Sequence, residues 1–151
     1  MLNLSAGAFA VLPVITAPAL PTETSVAIEE KVVRSEDYLP LTDSKNVEKF
    51  VKDYFADIPL MSKIAYCESR NRHFNKGGEI LRGEKTSLDR GVMQINLYFH
   101  GETAKKMGLD LHDIDDNLAY ARYLYQKQGA KPWMSSSACW SKISDLEFAK
   151  K

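Results

Sequence analysis

Apolar and polar positions alternate along this chain in more than one rhythm, and each rhythm marks an element. In "SKNVEKFVKDYFADIP", residues 44–59, Val47, Phe50, Val51, Tyr54 and Phe55 follow one another at i, i+3 and i+4 steps. That spacing gathers them on one side of a helix, and Ser44 is placed to cap its start. A second helix is predicted in "DIPLMSKIAYCES", with Asp57 as cap and Pro59 in the first turn, where a missing N–H costs nothing. Met61, Ile64, Ala65 and Glu68 fall at i, i+3, i+4 and i+7, so the stripe that should enter the core ends in a carboxylate. The rhythm then breaks. "NRHFNKGGEILRGEKTSLDRG" is punctuated by Gly77, Gly78 and Gly83 and reads as loops with one small hairpin.

Helical signals return in "GETAKKMG", a short helix stopped by Gly108, and most clearly in "DIDDNLAYARYLYQKQG". There, acids gather at the start and Lys127 near the end, as the helix dipole favours. Gly129 closes the helix, and Ile114, Leu118, Ala121 and Tyr125 form its apolar stripe. The expected fold is α+β and mainly α, a helical lobe beside a small loop or hairpin lobe. Residues 20–43 show no sustained period and read as a linker, and 44–151 as one folded domain. Residues 1–19, "MLNLSAGAFAVLPVITAPA", are apolar with small residues around Ala17–Ala19, as in an export signal, although no Lys or Arg precedes Lys31. Pro13 and Pro18 argue against a stable membrane span.

Composition narrows the classes. The 151 residues are 44% hydrophobic and 26% charged, with zero formal net charge. The charge is uneven: residues 1–59 carry 5 Lys/Arg against 9 Asp/Glu, and the remainder 15 against 11. The C-terminal part is thus mildly basic, without the dense cationic run that nucleic-acid binding needs. His73, His100 and His112 are scattered at no familiar ligand spacing, so no metal is expected, and no motif calls for a cofactor. Cys67 and Cys139 are the only cysteines. In an exported chain a bridge between them would stabilise the fold by about 4 kcal/mol on chain-entropy grounds; in a reducing compartment they would be buried thiols.

Glu68 is the residue whose position asks for an explanation. Burying a carboxylate is costly, so a carboxyl on an apolar face holds its proton to higher pH and becomes a general acid suited to cleaving a glycosidic bond. The structural alternative is a helix-end glutamate paired with Arg70 or Arg72. In "DRGVMQIN", Met93 and Ile95 alternate with Gln94 and Asn96, which places two amides on one face of an extended segment, suited to sugar hydroxyls and N-acetyl groups. Asp89, Glu79 and Glu84 are candidates for the second carboxylate that a two-carboxylate hydrolase places roughly 5–9.5 Å from the first. Tyr98 and Trp133 are the aromatics best placed to stack on sugar faces.

In order along the chain, Glu68–Ser69, "GVMQIN" at Gly91–Asn96, Thr103–Ala104 and "DDNLAYARYLY" at Asp115–Tyr125 resemble the lytic transglycosylase, goose-type lysozyme-like family. The resemblance covers about residues 57 to 140. It implies a lysozyme-like fold that cleaves the β-1,4 bond between MurNAc and GlcNAc in peptidoglycan. Glu68 would be the single acid/base, and Met93, Gln94 and Asn96 would line the cleft. Residues 76–86 look like an insertion relative to that pattern, and "KPWMSSSACW" stands where the family carries Ala-Tyr-Asn. The two cysteines are similarly placed to those of resuscitation-promoting-factor domains, which favours the bridge. The expectation is an exported monomer acting on glycan strands. A water-using muramidase and a non-catalytic glycan-binding module are its rivals.

Overall fold

The computed structural model describes residues 32–144, so the leader reading at 1–19 and the first half of the expected linker lie outside the described residues. The elements run, in order, as a 3-10 turn at Ser35–Tyr38, α1 at Ser44–Tyr54, α2 at Pro59–Ser69, β1 at Asp89–Arg90 and β2 at Ile95–Asn96. There follow α3 at Leu97–Lys106, α4 at Ile114–Gln128, a second 3-10 turn at Lys131–Ser136 and α5 at Ser137–Trp140. The fold is mainly helical with one small two-stranded antiparallel sheet. No helix among the described residues is long and apolar enough to cross a membrane.

The apolar stripes meet as their spacing requires. Val47, Phe50 and Val51 of α1 and Met61, Ile64 and Ala65 of α2 are buried in one core with Leu118, Ala121 and Leu124 of α4. Half-buried Tyr125 flanks that core, and Leu124 supplies the buried contact one position earlier. α2 is the central element, packed on α1 and on the C-terminal 3-10 turn and α5.

Both expected helix caps move. Asp43, not Ser44, caps α1, its carboxylate accepting from the Lys45 amide at 2.9 Å. An acid one residue earlier both caps the N–H groups and meets the positive end of the dipole. Asp57 does not cap α2; Ile58 holds that position, and Asp57 forms a two-point ion pair with Arg122 of α4 at 2.6 and 2.9 Å. Pro59 opens α2 as expected. Part of the expected linker is also folded: Tyr38 packs on Phe50 and donates to Asp53, and Ser35 bonds Asp115.

The irregular lobe spans residues 71–96. Its two strands pair Asp89 with Asn96 and Arg90 with Ile95, and single bridges join Phe74 to Ile80 and Arg82 to Arg90. The extended reading of "GVMQIN" is corrected. Residues 91–94 form a turn, Gln94 has a left-handed φ of 49°, and only Ile95 and Asn96 are strand. Gly91 is at φ 65°, and a Cβ there would lie 2.5 Å from the His73 ring, so both backbone and space demand glycine.

Two buried polar side chains bind this lobe to the helices. Asn117 of α4 accepts from the Met93 amide at 3.2 Å and donates to the carbonyls of Arg90 at 3.1 Å and Leu111 at 3.0 Å. His73 places Nε2 2.9 Å from the His112 carbonyl and accepts the Val92 amide on Nδ1 at 3.2 Å. That pattern requires a neutral ring, and burial lowers the His73 pKa accordingly. Cys67 and Cys139 form a disulfide joining the last turn of α2 to α5 across 72 residues.

Asn117→Ala would strand one buried donor and two buried acceptors. A loss of at least about 3 kcal/mol in unfolding free energy is expected from urea titration, since each of the three orphaned buried groups costs about 1–3 kcal/mol. A loss below about 1 kcal/mol would show that the lobe is held by other contacts.

Candidate active site

Glu68 reaches its position because α2 stops immediately after it. Arg70 and Asn71 adopt left-handed φ values of 57° and 56°, which turn the chain away at Ser69. Ser69 secures the turn, donating to the Ala65 carbonyl at 3.0 Å and accepting the Arg72 amide at 3.2 Å. The carboxyl of Glu68 is thereby left half-buried at the mouth of the core stripe.

Two lobes of a cleft meet at this carboxyl. One lobe, about 420 Å³, has Arg70, Arg72, Arg82 and Lys85 along its wall; the other, about 260 Å³, is more apolar, with Ile95, Phe99, Pro132 and Trp133. Glu68, Asp89, Gln94 and Ser135 line both.

Neither arginine of the alternative reading pairs with Glu68. The Arg70 guanidinium lies over the Tyr66 ring at 4.7 Å, and Arg72 Nε donates to the Ser69 carbonyl at 2.9 Å. The carboxyl's one hydrogen-bond partner among the described residues is the Ser136 hydroxyl, 2.6 Å from Oε1. Desolvation pushes the Glu68 pKa up; the Ser136 bond pulls it down, and the charge of Asp89 adds to the rise. Ser136 Oγ also lies 3.1 Å from the Trp133 carbonyl. Its single proton can serve either acceptor. Ionised Glu68 takes that proton as a hydrogen bond. Protonated Glu68 donates to Oγ, which then turns its own proton to Trp133. The group therefore has a partner in both protonation states.

The other expected site residues divide. Gln94 and Asn96 line the cleft, but their amides are committed to the fold: Gln94 Nε2 donates to the Gly91 carbonyl at 2.7 Å, and Asn96 Nδ2 to Asp89 at 2.7 Å. Asn96 also caps α3. Met93 is corrected: its side chain is fully buried in the core, and its carbonyl accepts the Trp133 indole at 3.0 Å. Trp133, 3% exposed, walls the apolar lobe more than it offers a face. Tyr98 is 78% exposed and outside both lobes; its neighbour Phe99, packed edge-on against it, is the aromatic that lines the cleft. Of the three candidate second carboxylates, Asp89 lines both lobes and Glu84 one, whereas Glu79 accepts from Asn75 and lines neither.

The histidines are dispersed: His73 under the loop lobe, His112 on Asp110, and His100 beside Tyr120 at the apolar lobe. No cluster of three potential metal ligands occurs among the described residues. Ser136 and the cationic wall are the features not read from the sequence. A signal for Ser136 existed, because a Cys67–Cys139 bridge must bring "SSSAC" next to Glu68.

Opposite mutational signs are expected for the Glu68 proton. Ser136→Ala removes a bond that favours the charged form and should raise the Glu68 pKa; Asp89→Asn removes a repelling charge and should lower it. A carboxyl-carbon NMR titration reads both. Because the folded pKa lies above the unfolded one, the stability this proton confers is full below the unfolded pKa and lost as pH rises through the folded pKa. Glu68→Gln should therefore melt at or above the wild-type temperature at neutral pH, and the difference should vanish in acid. A variant that melts well below wild type at every pH would make Glu68 a structural residue. Comparison of the chain with protein families, curated proteins and solved structures returns no match.

Proposed function

We propose that this protein cleaves the β-1,4 bond between MurNAc and GlcNAc in peptidoglycan, on a lysozyme-like fold, with Glu68 as acid and then base. The observation that carries this reading is the Glu68 carboxyl itself. It is half-buried where the two cleft lobes meet, has no cationic partner, and is held toward its protonated form. Glycosidic cleavage needs such a group at the leaving oxygen. The mainly helical body with a small antiparallel lobe beside the cleft supports the lysozyme-like assignment. The disulfide supports an oxidising, extracytoplasmic setting.

In the proposed reaction the Glu68 carboxylic acid gives its proton to the glycosidic oxygen as the bond from that oxygen to the MurNAc anomeric carbon breaks. The Glu68 carboxylate then takes the proton of the MurNAc C6 hydroxyl while O6 bonds to the anomeric carbon. The products are a GlcNAc end and a 1,6-anhydro-MurNAc end, and Glu68 is protonated again without water being consumed. The two-way partnership of Ser136 suits this cycle, because it gives the carboxylate a donor in mid-reaction while burial still holds the Glu68 pKa up. A hydrolytic route is the second reading, favoured by Asp89, which faces both lobes together with Glu68.

Mass spectrometry of fragments released from isolated sacculi separates the readings. Anhydro ends, lighter by one water than hydrolysis products, are expected. Glu68→Gln should reduce release at least about 100-fold, the scale of lost general acid catalysis. Reducing ends instead would give the reaction to water and Asp89. Binding without release would make the cleft a glycan-recognition module.

A further inference from the structure

The 420 Å³ lobe is not the neutral, hydroxyl-rich groove that a bare sugar chain calls for. Four cations, Arg70, Arg72, Arg82 and Lys85, face two carboxylates, Glu84 and Asp89, beside Glu68. Arg70 and Arg72 are held by the helix end, Arg70 over the Tyr66 ring. Arg72 is held to the Ser69 carbonyl. The backbone of Arg82 is bridged to that of Arg90, which sets two arginines opposite each other. Like charges in directly opposed positions destabilise a strand pair. Arg90 relieves its side of this by bonding the carbonyls of Ser87 and Asp89. Arg82 and Lys85 have no side-chain hydrogen bond or ion pair among the described residues. Between them Gly83 is pressed so close to the loop that a Cβ would lie 2.6 Å from the Thr86 carbonyl and 2.8 Å from the Asp89 carboxylate. The tight turn places Arg82 and Lys85 on the wall of this lobe rather than away from it.

We infer that this lobe binds the carboxylates of the peptide carried on the MurNAc residue, so that the enzyme acts on peptide-bearing strands in preference to bare glycan. The inference rests on the proposed peptidoglycan cleavage. It also orients the substrate: the peptide-bearing sugar lies on the cationic side of Glu68, and the unsubstituted sugar in the apolar lobe of Phe99, Pro132 and Trp133. An anion in the cationic lobe would offset the Arg82–Arg90 repulsion and be paired by exposed guanidinium groups, which recognise carboxylates through paired hydrogen bonds. A volume of 420 Å³ is of the size that small-ligand sites occupy, so a sugar substituent and the start of its peptide fit.

The test measures fragment release by the full chain from three preparations: intact sacculi, glycan stripped of peptide by an amidase with the lactyl carboxylate this leaves then converted to an amide, and sacculi whose peptide carboxylates have been converted to amides. Wild type is expected to act on intact sacculi at least about fivefold faster than on either of the others, the scale of two solvent-accessible ion pairs. In Arg82→Ala/Lys85→Ala, two exposed positions, the ratio should fall to near one, with an unchanged melting temperature. A wild-type ratio near one, or a ratio that survives the double substitution, overturns the inference. So does amidated material cleaved as fast as intact, since the peptide would then be read by shape and not charge. Failure of wild type to release fragments from all three would instead overturn the cleavage reading, and this inference with it.

Discussion

The cleft exists because a buried amide joins two parts of the chain that have no continuous sheet or helix between them. Asn117 spends its side-chain oxygen and nitrogen on three backbone groups, two of them in the loop lobe and one in the turn before α4. His73 makes the second such link, from the lobe to the His112 carbonyl. An isolated two-residue strand pair cannot hold itself together in water, so these contacts, not the sheet, fix the wall opposite Glu68. They also fix the chain between Gly91 and Asn96, and with it the Met93 carbonyl that receives Trp133. One buried polar network therefore positions Asp89, Gln94 and Trp133 together, and it rewards full satisfaction because each orphaned group would be costly.

The helices were legible because burial of an apolar stripe is a local, periodic demand. The stripes of α1, α2 and α4 appear in the core, and Glu68 stands at the end of its stripe. The cleft's other lining was less legible, because it depends on contacts between distant residues. Alternation made Gln94 and Asn96 look like paired outward amides. A turn at Gly91–Gln94 breaks the alternation, since Gly91 must pass within contact distance of His73 and no residue pattern in the loop signals that approach. Met93 looked available for the same reason and is buried because its segment folds inward under α4. Asp57 was a sound cap by residue type, but Arg122, 65 positions later, takes it. The cationic lobe was invisible because Arg70, Arg72, Arg82 and Lys85 share no spacing; the Phe74–Ile80 bridge and the Leu81 amide on the His73 carbonyl bring the insertion back to the helix end, and the bridge of Arg82 to Arg90 ties it to β1.

The helix end also explains why two nearby arginines do not lower the Glu68 pKa. An arginine within ion-pair reach would favour the ionised form and depress its pKa. A normal helical continuation would leave Arg70 and Arg72 on the surface around Glu68, free to swing toward it. Instead the chain takes two successive left-handed residues, a conformation that costs a residue other than glycine about 1 kcal/mol or more. That cost directs the Arg70 guanidinium onto Tyr66 and the Arg72 guanidinium onto the Ser69 carbonyl. Positive charge is thus kept close enough to line the adjoining lobe, but its hydrogen bonds are made elsewhere. The disulfide acts in the same sense from the other side. By tying α5 to Cys67 it brings a neutral hydroxyl, Ser136, to the carboxyl in place of a cation. A neutral donor moderates the rise caused by burial without reversing it.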